Sequence, residues 1–519
     1  MKSIKLILAY LVVSLGGAYA QDFAKGVVYL DKNNNGKFDR NEKGIPNVSV
    51  SNGREVVTTN AKGAYTLPVE NDNIVFVIKP SGYMFPVNDF NQPQFYYIHK
   101  PLGSPQLKYP GTAPTGKIPK ELNFPLIETQ EAANFTAFVF GDPQAYNLEE
   151  IAFFKKGIID QIQDKKQGIF GISLGDLVGD DLVLHQPYKE AIAEMGLPWW
   201  NVMGNHDMNF DVKSDSLSDE AYEAAFGPNN FAFNYGNAHF IVLDNIIYPN
   251  PKTGSGYTAG LREDQFQFIE NNLKHVPKEK LIILAHHIPI AQGGFDAQQS
   301  KRLFDILADF PHTFSMSSHT HYQTQLFVDN QSNRSAEKPH HEYNVGTTSG
   351  DWYSGKLNQE GIPSSTMRDG TPKGYALLHV NGNQYSFDYQ VVGKEKDYRI
   401  AIISPDVVAQ QHSRRYTVYA NFFIGSAKDK VHYRINGSEW KIANYTKEVD
   451  PAYLNEVYDF DFAKALVDGR RPSSPVQSSH LWKFPLGNLK AGKHIIEVKA
   501  TDMFNREHVA TKEIEVVAD

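Results

Sequence analysis

The sequence predicts an α/β chain in which a central region of alternating strands and helices is flanked on each side by an all-β region. Three observations carry this prediction. Residues 132–393 alternate apolar, strand-like runs with stretches of helical periodicity. The regions before and after show short two-residue alternation punctuated by Asn and Gly. Finally, five of the central apolar runs stop on residues of metal-binding type, and α/β folds collect their sites at the carboxyl ends of their strands.

The elements follow in order. In residues 1–20, Lys2 and Lys5 precede an apolar run, 7–15, and the small-residue exit Ala18-Tyr19-Ala20, the pattern of a cleavable secretory signal. Spanning a bilayer takes about 20 apolar residues, more than this run or any later one offers, so no transmembrane segment is expected. The expected address is secreted, bacterial periplasmic or extracellular. Residues 21–131 read as an N-terminal β domain, with strands at 27–30, 48–51, 55–58, 65–69 and 74–78. Prolines recur through 86–125, which reads as a linker wrapping a surface. Residues 132–395 form the catalytic candidate, with helices at 148–163, 187–195, 219–226, 262–275 and 297–310. Such alternation argues a sheet covered by helices on both faces. Residues 396–519 return to β patterning at 415–423, 430–435, 495–501 and 512–517, with Asn436-Gly437 as a hairpin turn. They read as a C-terminal β-sandwich, of a usual domain size.

At 519 residues the chain has length for about three domains. Its net charge of -8 comes without a dense Lys/Arg cluster, so no nucleic-acid-binding patch is expected. Protein partners are not legible. There is no Cys, hence no disulfide. A secreted chain is normally allowed disulfides, so these domains must rest on their cores or on bound ions.

The five runs carry the chemistry. Run 135–140 ends in Gly141-Asp142-Pro143-Gln144, and 168–174 in Gly175-Asp176-Leu177-Val178-Gly179-Asp180. Run 199–203 ends in Gly204-Asn205-His206-Asp207, 281–285 in His286-His287-Ile288-Pro289, and 313–318 in His319-Thr320-His321. Any one of these alone reads as a turn. Together, in order, they are expected to converge on one sheet edge. Hydrolysing a phosphate ester needs a nucleophile at neutral pH and positive charge for the transition state, which two ions about 3.5–4 Å apart supply. Asp176 is the candidate bridge. Asp142 and one imidazole of the His319/His321 pair would complete one ion, and Asn205, His287 and the other imidazole the second. His286 competes with His287 for its slot. Mixed carboxylate, amide and imidazole donors suit Mn, Fe or Zn.

These motifs resemble the calcineurin-like metallophosphoesterases, of a secreted bacterial three-domain type. The resemblance covers about residues 132–393. It implies a central β-sandwich flanked by helices, with N- and C-terminal all-β domains, and a hydrolase acting on ester bonds. It further implies that Asp142 and His321 hold one metal, that Asn205, His287 and His319 hold the other, and that Asp176 bridges them. His206 would then assist the leaving group as a catalytic residue. The distance to Pro289 selects His287 over His286. Gln144 stands where the family usually has His, a weaker donor that favours Mn, although some pyrophosphatases of the superfamily share it. Gly179 stands where purple acid phosphatases need Tyr, and Ser318 replaces the Gly that usually opens the closing motif.

Substrate choice should lie in the surrounding loops, with Tyr146, Asp181, His185, Trp352 and Tyr353 as candidate rim residues. Asp31, Asn33, Asn35, Gly36, Asp39 and Glu42 match positions 1, 3, 5, 6, 9 and 12 of a Ca²⁺ loop. The segment resembles the Ca²⁺-binding B-type repeats of bacterial surface proteins. The reading is a secreted metal-dependent phosphoesterase that cleaves a small phosphorylated substrate (phosphomonoester, phosphodiester or pyrophosphate) by a metal-bridging hydroxide. The alternative is a catalytically inactive surface glycan-binding protein on the same fold.

Overall fold

Alternation along the central strands decides the architecture. In Asn134–Phe140, Ala137 and Val139 point to one side and Phe138 and Phe140 to the other, and both sides are buried. A strand covered on both faces must lie inside a layered domain. The computed structural model describes residues 21–292, 294–328 and 339–518. The targeting segment expected at 1–20 lies outside them.

The central region contains two sheets, the β-sandwich that the resemblance implies, rather than the single sheet that the βα alternation alone argues. The first runs Trp199–Val202, Phe170–Leu174, Asn134–Phe140, Gly374–Asn381, Gln384–Val391. Its first three strands are parallel, with Phe138 opposite Gly171 and Gly171 opposite Trp199. The second runs Phe231–Tyr235, Ala238–Leu243, Leu281–His286, Thr313–Ser317, His340–Asn344, Thr324–Val328, and its four middle strands are parallel.

Aromatic contacts join the two inner faces. Trp200 of the first sheet stacks on Phe233 of the second at 4.3 Å, and Phe170 meets Phe233 and Phe240 edge-on, each at 5.6 Å. Outside the first sheet, Phe138, Phe140 and Trp199 pack with Phe154 of helix Leu148–Gly157 and Tyr188 of helix His185–Ala193. The second sheet's core takes in Phe268 of helix Glu263–Leu273 and Phe304 of helix Ala297–Ile306. The layers are helix, sheet, sheet, helix.

The N-terminal region pairs strands Asp22–Leu30 and Ala64–Val69 in one sheet, and Ser49–Ser51 and Asn73–Val77 in another. Its proline-rich segment runs over the central region, and where recurring prolines predict only a linker it also forms a strand, Tyr96–His99. The C-terminal region has a four-stranded and a five-stranded sheet. It also holds a helix, Pro451–Asp461, that the reading missed despite its Asp450-Pro451 start. That pair is an N-cap followed by Pro in the first turn. Among the described residues, no helix is long and apolar enough to cross a membrane.

Candidate metal centre

Because the strands come from two sheets, the five motifs meet across the sandwich and not along one sheet edge. Asp142, Asp176 and Asn205 follow parallel strands of the first sheet, while His287 and His319 follow strands of the second. The loops that carry them are tightly bent. Asp142, Gln144, Asp176, His319 and His321 all have positive φ, between 28° and 74°. Left-handed backbone at a non-glycine residue costs about 1–3 kcal/mol and persists where the surroundings enforce it. Two glycines make the approach of the loops physically allowed. A Cβ on Gly204 would lie 1.9 Å from the Asp176 nitrogen, and one on Gly175 would lie 2.5 Å from Nδ1 of His287.

At the centre is His287, fully buried. Its Nδ1 lies 2.8 Å from the Leu174 carbonyl, which only accepts, so Nδ1 is the donor and Nε2 faces the site. Two oxygen acceptors and another ring nitrogen surround Nε2. Asn205 Oδ1 is at 3.1 Å, Asp176 Oδ2 at 3.2 Å and His319 Nδ1 at 3.1 Å. Where both rings turn a lone pair inward, four such atoms face one another, and a cation between them satisfies all four. Asp176, His287 and His319 each offer a ligand atom within 4.8 Å of the others.

A second group adjoins the first. His321 Nδ1 donates to the Gly350 carbonyl at 2.8 Å, leaving Nε2 3.2 Å from Asp142 Oδ2. Asp142 Oδ1 accepts the His319 N–H at 3.1 Å. Gln144 gives its amide nitrogen to the Tyr146 hydroxyl at 3.3 Å, and its Oε1 is buried with no hydrogen-bond partner. A buried orphan acceptor is costly unless something electropositive meets it. This donor chemistry fits divalent ions.

The electrostatics agree in direction. Burial opposes charge on Asp142 and Asp176. The imidazoles of His321 and His287 around Asp142, and of His287, His206 and His319 around Asp176, outweigh it and hold both carboxyls below their ordinary range. Burial also opposes a charged His287, but Asp176 and Asp142 raise it to about 9, whereas burial and the neighbouring His287 lower His319 to about 4. The cluster thus holds a cationic charge at its centre, the place a metal would take from a proton.

His206 stands at the edge, its side chain 26% exposed. Its backbone N–H donates to Asp176 Oδ1 at 2.8 Å and its Nδ1 pairs with Asp180 Oδ1 at 2.7 Å. Burial works against its charge, but Asp176 and Asp180 raise its pKa to about 9.

The rim differs in part from expectation. Tyr146 stands edge-on to the His206 ring at 5.9 Å, and its own ring occupies the space beside Gly179. Trp352 stacks on His321 at 3.8 Å. Tyr353 is not at the rim. It is buried, packs on Phe153 and donates its hydroxyl to the Pro143 carbonyl, so it braces the Asp142 turn from beneath. His185 is also buried, with Nε2 3.4 Å from Asp207. His286 turns from the cluster, donating to the Ile288 carbonyl at 3.0 Å with Nε2 3.5 Å from Glu342.

Several participants were not assigned from sequence. Asp180 and Asp207 were visible only as letters within their motifs. Asp207 is wholly buried and accepts the N–H groups of Leu177, Val178 and Gly204, tying the Asp176 loop to the Asn205 loop. Tyr257 meets His319 edge-on at 6.1 Å, with no signal in the sequence to mark it.

In the N-terminal region, Asp31 accepts the N–H groups of Asn35 and Gly36, and Asn33 and Asn35 both donate to Asp39. Glu42 accepts from Lys32 and Asp39. The candidate Ca²⁺ loop is therefore closed on itself by its own polar groups.

Family models match three parts of the chain. That for the N terminal of calcineurin-like phosphoesterase covers residues 32–109, that for calcineurin-like phosphoesterase 136–323, and that for its C terminal 342–508. Among solved structures, the chain is similar to the purple acid phosphatase PPD1 from yellow lupin (Lupinus luteus) seeds, at 13% identity over 68% of each chain, with a TM-score of 0.36. It is also similar to GAP50, the anchor in the inner membrane complex of Plasmodium, at 15% identity over 51% of this chain and 87% of that one, with a TM-score of 0.34. No curated protein matches.

Proposed function

The chain belongs to the calcineurin-like phosphoesterases, a family of metal-dependent hydrolases, and from that premise we propose a secreted binuclear enzyme that hydrolyses a small phosphoester. Asp142, Gln144 and His321 would hold one ion, Asn205, His287 and His319 the other, with Asp176 between them. The observation that carries this reading is the ring of acceptors around His287 Nε2. Divalent ions there supply an acidified water and neutralise phosphoryl charge. The amide of Gln144, in place of a stronger imidazole donor, supports Mn over Zn. His206, raised to about 9, holds a proton at neutral pH and can give it to the departing ester oxygen. Secretion rests on the pattern of residues 1–20, and a structural Ca²⁺ on the spacing from Asp31 to Glu42.

The test is turnover of p-nitrophenyl phosphate, bis-p-nitrophenyl phosphate and ADP-ribose by the purified protein with Mn²⁺, beside Asp176→Ala and Asn205→Ala. Metal-dependent turnover that both substitutions abolish is expected. A protein that binds metal yet turns over none of the three would be the glycan-binding alternative.

A further inference from the structure

Beside His206 opens a cleft of about 400 Å³, lined by Lys108, Tyr109, Asp180, Phe210 and Asp211. It shares a wall with the metal centre, because Asp180 is also the partner of His206 Nδ1 at 2.7 Å. The opposite wall comes from the proline-rich segment of the N-terminal region, far away in sequence. That wall is fastened in place. Asn209 Nδ2 donates to the Tyr109 carbonyl at 2.9 Å, and the Lys108 N–H donates to Asp211 at 2.8 Å. Phe210 is 38% exposed, yet it is held from behind. Tyr248 meets its ring edge-on at 5.8 Å and donates a hydroxyl to its carbonyl at 2.7 Å.

We propose that this cleft is the leaving-group subsite, and that it takes an uncharged alcohol bearing a flat ring. The inference rests on the phosphoesterase reading above. Two aromatic side chains, Tyr109 and Phe210, line the cleft, and aromatic walls suit a planar group. Lys108 lies 4.6 Å over the Tyr109 ring, so its charge is engaged there, and Asp181 and Asp211 are the carboxylates that act on it. Asp180 is already paired with His206 and Asp211 lies beside Lys108, so the lining offers no net positive charge to a phosphorylated leaving group. In the reaction, the water oxygen bonds to phosphorus and the bond from phosphorus to the alcohol oxygen breaks. The electron pair goes to that oxygen, which takes the proton of His206, and His206 is reprotonated from solvent, which has received the proton the nucleophilic water gave up. The ring carried by the departing oxygen then lies in the cleft beside His206.

The experiment compares phenyl phosphate with methyl phosphate, measuring phosphate release by the full chain with Mn²⁺, in the parent and in Tyr109→Ala, Phe210→Ala and Tyr109→Phe. Loss of one stacking face should lower the phenyl-over-methyl ratio of kcat/KM about tenfold, mainly through KM. Tyr109→Phe keeps the ring and should keep the ratio. Equilibrium dialysis of p-nitrophenol should show binding to the parent and loss in both Ala variants, at equal metal content. An unchanged ratio in both Ala variants overturns the subsite while leaving the phosphoesterase reading intact. Failure of the parent on both esters, with turnover of bis-p-nitrophenyl phosphate or ADP-ribose, overturns the subsite alone, and failure on all of them overturns that reading and the subsite with it.

Discussion

Two candidate ligands and the candidate catalytic histidine are each oriented by a neighbour outside the set of ligands. His287 is oriented by the Leu174 carbonyl, His321 by the Gly350 carbonyl and His206 by Asp180. Asp207 has the widest reach, since one carboxylate receives N–H groups from both the Asp176 and the Asn205 loops. An Asn there keeps one acceptor oxygen and turns an NH₂ toward N–H donors. Asp207→Asn should therefore weaken Mn²⁺ binding about 10–100-fold, read by calorimetric titration. His206 gives a pH prediction. Its pKa is raised to about 9, so the ring is protonated below that pH and loses its proton above it. As a proton donor it should support a rate that falls as pH rises through about 9. Asp180→Asn removes one of the raising carboxylates and should move that alkaline limb to lower pH, visible in a pH–rate profile.

The loops and helices show how local chemistry fixes the elements around the site. Tyr353 locks the Asp142 turn through the Pro143 carbonyl, and Glu342 accepts the N–H groups of Ile290 and Ala291, holding the loop that follows His287. Helix Pro451–Asp461 begins on Asp450, whose carboxylate accepts from Ala452, Tyr453 and the Asn421 amide. Losing an N-cap costs about 0.5–2 kcal/mol. Asp450→Ala should cost at least that and lower the denaturant midpoint, because the buried Asn421 amide also loses one of its two acceptors. A variant as stable as the parent would show that the cap contributes nothing.

Across the whole molecule the three regions are fastened by buried polar links. Lys79 pairs with Glu131 and donates to the Asn234 carbonyl at 2.8 Å, joining the N-terminal region to the second sheet's edge. From the other side, His480 Nε2 lies 2.9 Å from Asp369, which also accepts the N–H of Gln323 at 2.8 Å, two residues beyond His321. The apolar core is likewise continuous, from Val28 through Phe240 to Ile514. The described domains should therefore unfold in one calorimetric transition, and separate peaks would refute their coupling. His480→Ala leaves a buried acceptor short of a partner, at a cost of about 1–3 kcal/mol. The thermal midpoint of the whole chain should fall, not that of one region alone.

Strand ends and ligand types were legible in the sequence because they are local. An apolar run of strand length that stops at Gly-Asp or Gly-Asn-His states its own chemistry, and the five candidate runs end within a residue or two of the structural strands. Gln144 was equally plain as a departure from the usual donor. That the ligands come from two facing sheets was legible only through the family resemblance, since alternation by itself reads the same whether strands share a sheet or lie in opposite ones. The inward turn of Tyr353 was not legible, because φ and burial depend on what packs above it. The approach of Tyr109 to the His206 edge was hidden for the same reason: nothing local records a hydrogen bond between Asn209 and a carbonyl a hundred residues earlier. The five motifs alone determined what chemistry this chain carries. Only the packing of the sheets, and of the N-terminal segment against them, decided which atoms face one another and what the leaving group would meet.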